Sequence, residues 1–331
     1  MDSRRFHEID VLKCVSILTV VYIHSISTSF SPTNFLGILF ANITSFAVPG
    51  LFFAAGFLFN INNVSTSQII TKKLIRILPP YIFCSLCIQF LNLPGLSVSL
   101  ENLTTKQLMF NLIFGNTLGI YYFIFVLLYL YAFSLILRHI PDKWVLVIWG
   151  ISIFLMLFFV KKVLFQGYSF FILFRHPFIH VLPYLTGWVF LLYYQKITSI
   201  VRQHLTVIFF TLIILVIMLL TFTRMDGGNF NLFPILTQFY IYLCIALLLI
   251  IGIKTTKHQK IIQLFSNYSY GIYLLHFPIV RSCQLLYPEI AVDYSFPYAF
   301  VSWSAGVSIS IFIIFAIKKI SGRYSVYLVG C

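Results

Sequence analysis

A lysine and a histidine, Lys13 and His24, stand eleven residues apart in the first apolar run of the chain. On a helix, eleven residues rise about 16 Å and make about three full turns, so the two side chains share one face. Ionisable groups within a bilayer are costly, which makes each of them a candidate functional group. Histidine suits general-base chemistry near neutral pH. The alternative is a packing histidine, with Lys13 extending to lipid headgroups and Asp10, one turn earlier, reducing the cost of burying it.

A second basic pair, Lys73 and Arg76, follows the second apolar run in the sequence KKLIRILPPY. Residues three positions apart share a helix face, so these two cations could together bind phosphate groups. The alternative is an ordinary cluster of positive charges that ends a span on the cytoplasmic side. The second apolar run itself contains small residues that allow another helix to approach closely, namely Gly50, Ala54, Ala55 and Gly56.

A second histidine within an apolar run, His276, follows Tyr273 by three residues in LFSNYSYGIYLLHFPIV. The two side chains share a helix face and could position a substrate or stabilise charge. Packing is the alternative for the tyrosine, because aromatic residues are common in membrane helices. The remaining histidines lie near the ends of apolar runs, where solvation is the simpler interpretation: His7, His139, His176, His180, His204 and His258.

The elements that must position these side chains are membrane-spanning helices. Of 331 residues, 60% are hydrophobic and 9% charged, with a mean hydropathy of +0.97, whereas a soluble domain carries about a quarter charged residues. Apolar runs long enough to cross a bilayer recur along the chain. The sequence therefore predicts one all-α domain over residues 1–331, a polytopic bundle of about ten transmembrane helices. The approximate spans are 9–30, 36–60, 77–93, 118–137, 144–160, 176–194, 204–223, 230–253, 264–286 and 296–317.

The distribution of lysine and arginine predicts the orientation of this bundle. With the N-terminus in the cytoplasm, 16 of the 22 basic residues fall on the inner side and six on the outer side, as the positive-inside rule requires. Both termini are then cytoplasmic, and no cleaved signal peptide is expected before the first span. Because the net charge of +14 resides in these short clusters, membrane lipids are expected partners and nucleic acid is not.

The common motifs of soluble enzymes are absent from the sequence: it has no GxSxG, HExxH, P-loop or GxGxxG. Cys84 and Cys87 form a CxxC in apolar surroundings without a second pair. Zinc would require two further ligands, so no metal site is expected.

Taken together, these segments resemble the acyltransferase-3 family of bacterial membrane acyltransferases. The matching positions are Ile9, Asp10, Leu12, Lys13 and His24 in the first segment, Phe52, Phe53, Gly56 and Phe57 in the second, Lys73 and Arg76 in the third, and Ser269, Tyr270, Gly271, Tyr273, Leu274 and His276 in the last. Two departures stand out. Ala55 occupies the position of the motif serine, and lysine replaces the commoner arginine at positions 13 and 73, which keeps the charge but weakens bidentate phosphate binding.

The resemblance implies a multi-pass O-acyltransferase of the bacterial cytoplasmic membrane, most often an O-acetyltransferase. The donor would be cytoplasmic acyl-CoA, with acetyl-CoA as the expected form, and no cofactor would be bound permanently. The acceptor would be a sugar hydroxyl of an envelope glycan, such as a cell-surface polysaccharide, an O-antigen or a lipid-linked sugar. A transporter or flippase for a lipid-linked or polysaccharide substrate is the alternative, since buried histidines and a basic cytoplasmic rim suit that class too.

The resemblance also implies roles for individual residues. His24 is the expected catalytic residue, either as a general base toward the acceptor hydroxyl or as a transiently acylated nucleophile. The expected donor-binding residues are Lys13, Lys73 and Arg76, and the expected supporting residues are Asp10, Tyr273 and His276.

Overall fold

The computed structural model describes residues 5–27, 39–40, 42–59, 66–91, 104–115, 117–166, 176–225, 234–255, 258–286 and 295–331. Within these ranges the regular structure is helical and contains no strand, which confirms the predicted all-α class. The α-helices are α1 His7–Ser27, α2 Ala47–Phe59, α3 Thr66–Leu91, α4 Thr105–Phe114, α5 Tyr122–Leu137, α6 Asp142–Gln166, α7 Pro177–Leu192, α8 Tyr194–Gln203, α9 Leu205–Met225, α10 Pro234–Lys254, α11 Gln259–Leu286, α12 Ser295–Ser321 and α13 Ser325–Val329. Apolar sequence folds as helix because a helix satisfies its own backbone hydrogen bonds where lipid cannot.

Five stretches among the described residues are long and apolar enough to cross a membrane: His7–Ile26, Thr71–Phe90, Gly119–Leu137, Leu236–Lys254 and Phe296–Val329. Tyr194–Gln203 and Leu205–Met218 meet at a bend of 72° and would together make a sixth. Two further apolar helices, α2 and α7, are shorter. Length and composition thus support five or six spans in the described ranges. The total of ten spans and the cytoplasmic termini stay predictions.

The chain forms two compact units, and the first comprises Met1–Thr19, Pro32–Asn63 and Tyr129–Ser266. In this unit α2 packs directly on α7. A Cβ atom at Gly56 would overlap the Tyr184 carbonyl, and one at Gly187 would overlap the Phe53 carbonyl. The two backbones therefore touch, as the small residues of α2 predicted. The apolar core around this contact includes Leu12, Phe57, Phe190, Ile245 and Leu249.

The second unit comprises Val20–Ser31, Val64–Leu128 and Asn267–Cys331. Tyrosine hydroxyls tie its helices together by donating to backbone carbonyls: Tyr81 to Leu112 at 2.7 Å, Tyr270 to Ile77 at 2.8 Å and Tyr121 to Leu274 at 2.9 Å. A tyrosine with its hydroxyl satisfied in this way can place its ring in an apolar interior. These bonds hold α3, α4, α11 and the Gly119–Tyr121 turn in fixed register. The prediction of one domain over residues 1–331 is not tested by this division and stays a prediction.

Candidate active site

The second unit brings together the two histidines that stand in apolar helices. The ring centroids of His24 on α1 and His276 on α11 lie 5.3 Å apart, with the ring planes inclined by 38°. Helix α12 approaches the same place at Gly306, where a Cβ atom would lie 2.7 Å from Val280 of α11 and 3.0 Å from Val21 of α1. The absence of a side chain at Gly306 therefore lets three helices meet beside the two imidazoles, which we call the histidine pair.

His276 is fixed in one orientation and one tautomer. Its side chain is 0% exposed, and its Nδ1 lies 3.0 Å from the carbonyl oxygen of Ile272, one turn earlier on α11. A carbonyl oxygen only accepts hydrogen bonds, so Nδ1 carries the proton and donates it. In the neutral ring, Nε2 is then left with a lone pair. Among the described residues, this Nε2 has no hydrogen-bond partner, which costs about 1–3 kcal/mol for a buried polar atom.

His24 differs from His276 in being partly exposed. The ring of Phe277 packs edge-on against it, with centroids 5.1 Å apart and planes at 87°. The pair therefore combines one imidazole fixed in the interior with one that is held by ring contacts but still accessible.

Tyr273 belongs to the framework of the site. Its ring centroid lies 5.9 Å from that of His276 and 5.0 Å from that of Phe123. Its hydroxyl donates to the carbonyl of Ile120, and the reverse contact, Tyr121 to Leu274, runs parallel to it. Because the hydroxyl proton is engaged by a backbone carbonyl, Tyr273 holds the Gly119–Tyr121 turn against α11 and thereby positions the neighbouring His276.

Lys13 and Asp10 lie in the first unit, in what we call the Asp10 cluster: Arg5, Asp10, Lys13 and Ser266. The Asp10 carboxylate accepts from Arg5 Nε at 2.6 Å and from Ser266 Oγ at 2.6 Å. Lys13 Nζ donates to the Ser266 carbonyl at 2.7 Å. Ser266 therefore links Asp10 and Lys13 of α1 to α11. One of the three donors of the Lys13 ammonium is committed to this contact.

Lys73 and Arg76 lie on α3, in the second unit. Arg76 is exposed, Lys73 is partly buried, and the two are close enough for their positive charges to repel each other. The guanidinium Nε of Arg76 donates to the carbonyl of Gly330 at 3.2 Å. No aspartate or glutamate occurs among the described residues of the second unit. This part of α3 thus presents two positive charges without an aspartate or glutamate among the described residues of its unit, which suits anion binding.

Sequence reasoning did not identify Ser266 or Gly330 as parts of the site. Ser266 contacts Lys13 across 253 residues, and Gly330 contacts Arg76 across 254 residues. In the sequence, Ser266 is marked only as a small polar residue directly after Leu264 and Phe265.

In the described part of the chain, no three His, Cys, Asp or Glu side chains lie close enough together to hold a metal ion. The Sγ of Cys84, from the CxxC motif, lies 3.8 Å from the Leu328 carbonyl.

Helical structure throughout the described residues, with membrane-length apolar helices and two adjacent histidines among them, is typical of membrane-embedded enzymes and carriers. A family model described as an acyltransferase domain matches residues 6–319, nearly the whole chain. The chain belongs to the acyltransferase-3 family, and it is a membrane acyltransferase. No curated protein and no solved structure matched the chain. The match confirms the resemblance seen in the sequence motifs, while the donor, the acceptor and the roles of individual residues lie beyond it.

Proposed function

We propose that this protein is an O-acetyltransferase of the bacterial cytoplasmic membrane. It takes the acetyl group of cytoplasmic acetyl-CoA and transfers it to a sugar hydroxyl of an envelope glycan, such as a surface polysaccharide, an O-antigen or a lipid-linked sugar. The observation that carries this proposal is the histidine pair, and above all the buried His276 Nε2 without a partner among the described residues.

The arrangement of the pair favours a chemical role over a packing role. An unpaired buried polar atom costs stability, so the unpartnered Nε2 of His276 supports a role in binding a further hydrogen-bond donor. His276 has only Nδ1 engaged by Ile272. Its Nε2 lone pair can accept a hydrogen bond, and a hydroxyl group is a suitable donor. A sugar offers several neighbouring hydroxyls, so one can bind to His276 while another approaches His24.

In the proposed reaction, His24 acts as general base. A neutral His24 nitrogen accepts the proton of the acceptor hydroxyl while the hydroxyl oxygen forms a bond to the acetyl carbonyl carbon. The carbon–sulfur bond of the thioester then breaks, and the CoA thiolate leaves with the proton that His24 has taken up. Histidine suits both proton transfers because its reference pKa lies near 6.5. Transient acetylation of His24, followed by attack of the sugar hydroxyl on the acetylated ring, is the alternative route.

Donor binding is assigned to the basic residues of the motif. Arg76 and Lys73 place two positive charges on α3 with no aspartate or glutamate in the described part of their unit, and CoA carries phosphate groups that such a site binds. Lys13 is assigned the same role from its position in the family motif, with Asp10 and Ser266 fixing the helix around it. Lys13→Ala should raise the KM for acetyl-CoA, and an unchanged KM would remove Lys13 from the donor site.

The test is chemical analysis of the envelope glycan. Mass spectrometry and NMR of surface glycan from cells with and without the protein should show ester-linked acetyl groups that depend on its presence. Cells carrying His24→Ala should lack these esters, whereas cells carrying His139→Ala at a matched protein level should retain them. His139 is an exposed histidine after α5, so it controls for the loss of an imidazole. Full acetylation in the His24→Ala cells would refute the catalytic assignment.

A further inference from the structure

Residues 325–330 form a segment that the family match does not cover, since that match ends at residue 319. After α12, a 3-10 turn over Gly322–Tyr324 leads into α13, which packs against α3. Within this 325–330 segment, Ser325 is 2% exposed and Val329 is 0% exposed. Because a helix as short as α13 is not stable alone, its position depends on these tertiary contacts.

Two glycines permit the close contact between the 325–330 segment and its neighbours. Gly330 ends α13 with a positive φ of 73°, and a Cβ atom there would lie 2.5 Å from Cδ1 of Tyr270 and 3.1 Å from the carbonyl oxygen of Arg76. On α11, a Cβ atom at Gly271 would lie 2.9 Å from the carbonyl oxygen of Val329. The segment is therefore wedged between α3 and α11. A side chain at position 330 would push it away from both helices.

One contact of the 325–330 segment orients a candidate donor-binding side chain: Arg76 Nε donates a hydrogen bond to the Gly330 carbonyl, at 3.2 Å. A guanidinium is planar, with five N–H donors in a fixed fork. Engaging Nε with the backbone orients that plane and directs the two terminal nitrogens, which are the groups that bind phosphate in bidentate fashion. The exposed side chain of Arg76 would otherwise sample many rotamers, and fixing one of them lowers the entropic cost of binding an anion.

We propose that the 325–330 segment is a positioning element of the donor site, in which the Gly330 carbonyl holds the Arg76 guanidinium ready for the phosphates of CoA. This inference rests on the proposed function of Arg76 and adds to it a structural element outside the family domain. The segment touches no reacting atom, so its effect falls on donor affinity and not on the rate of acyl transfer.

The test compares Gly330→Ala with Gly322→Ala in the whole 331-residue protein, purified in detergent. Both glycines have positive φ, 73° and 53°, so alanine strains the backbone at each. A Cβ atom at Gly322 has no atom within 4 Å, whereas one at Gly330 meets Tyr270. We expect Gly330→Ala to raise the KM for acetyl-CoA about tenfold, as for loss of one hydrogen bond to a charged group, and to leave kcat nearly unchanged. Gly322→Ala should leave both constants unchanged.

A double variant separates this proposal from the function on which it rests. Arg76→Ala should raise the KM for acetyl-CoA, and adding Gly330→Ala to it should raise the KM no further, because the segment acts through Arg76. Arg76→Lys keeps the charge without the Nε donor, so Gly330→Ala should have no additional effect there either. These combined variants are compared at equal amounts of folded protein, judged by size-exclusion chromatography.

Each remaining outcome is decisive. If Arg76→Ala raises the KM but Gly330→Ala does not, the 325–330 segment has no positioning role and the donor site still stands. If Gly330→Ala raises the KM equally with and without Arg76, the segment acts by another route and the proposal is wrong. If Arg76→Ala leaves the KM unchanged, the donor-binding role of Arg76 itself is wrong.

Discussion

The Asp10 cluster and the histidine pair both place ionisable side chains within apolar helices, yet they are built in opposite ways. In the Asp10 cluster, Arg5 and Ser266 both donate to the carboxylate, and Lys13 donates to the carbonyl of Ser266. In the histidine pair, the fully buried His276 has one ring nitrogen without a hydrogen-bond partner among the described residues. Satisfied polar groups stabilise a fold, whereas an unsatisfied buried group costs stability.

This difference distinguishes structural residues from candidate catalytic residues within a single family motif. Asp10, Lys13 and His24 all lie on α1 and were all matched to the motif. The structure places Asp10 in a network that joins α1 to Ser266 of α11, while Nε2 of His276 has no hydrogen-bond partner among the described residues. The comparison predicts that changes at Asp10 act mainly on stability and that changes in the histidine pair act mainly on turnover.

The largest effect is expected from His24→Ala. Loss of a general base typically lowers turnover by about 100-fold to 10,000-fold, and the KM for acetyl-CoA should change little because the proposed phosphate-binding residues are on α3 and not at His24. Steady-state kinetics of the purified variant, beside the exposed-histidine control His139→Ala, measure both constants. If the turnover of His24→Ala were within a few-fold of that of the control, His24 would have a structural role, like Asp10, and not a catalytic one.

A smaller effect is expected from changing the unpartnered nitrogen of His276. In His276→Asn, the amide nitrogen reaches about as far as Nδ1 and can keep the bond to Ile272, but nothing replaces Nε2. In His276→Gln, the amide oxygen reaches about as far as Nε2 and can still accept a hydrogen bond. We expect the asparagine variant to lose about tenfold in kcat/KM for the glycan acceptor, the order of one hydrogen bond, and the glutamine variant to retain more. Equal losses in both variants would show that Nε2 does not bind the acceptor.

The smallest effect is expected in the Asp10 cluster, where it should appear as stability. Asp10→Ala removes the acceptor for Ser266 and Arg5 and should destabilise the protein by about 1–2 kcal/mol. Asp10→Asn keeps an oxygen for Ser266 and loses only the charge opposite Arg5, whose side chain is 44% exposed, so its cost should stay below about 1 kcal/mol. Thermal unfolding in detergent micelles measures both. A larger loss in Asp10→Asn than in Asp10→Ala contradicts this ordering.

Local features of the site could be predicted from the sequence, because they depend on spacing along one helix. The shared face of Lys13 and His24, the small residues of α2 and the Tyr273–His276 spacing are of this kind. The pairing of His24 with His276 was not predictable, since it requires α1 and α11 to lie side by side. The same holds for Ser266 and Gly330, whose partners stand more than 250 residues away.

The number of membrane spans depends on whether lipid or protein surrounds each apolar helix. The sequence predicted ten spans from hydropathy, whereas the described residues support five or six by length and composition. Helices α2 and α7 illustrate one reason why the two numbers of spans differ. They are apolar but short, and their glycine contacts, Gly56 with Tyr184 and Gly187 with Phe53, bury them against each other. Hydropathy records that such a helix is apolar, but not whether lipid or protein surrounds it.

The central claim, that the histidine pair is a centre for acyl transfer, is tested most directly by acceptor-dependent release of CoA. Purified protein would be incubated with acetyl-labelled acetyl-CoA, with and without a glycan acceptor. We expect sustained CoA release, beyond one CoA per protein molecule, only with acceptor, and we expect the label to appear as an ester on the glycan. His24→Ala should show neither. Equal CoA release by His24→Ala, or movement of the glycan across vesicle membranes without any CoA release, would contradict it, the latter in favour of a transporter.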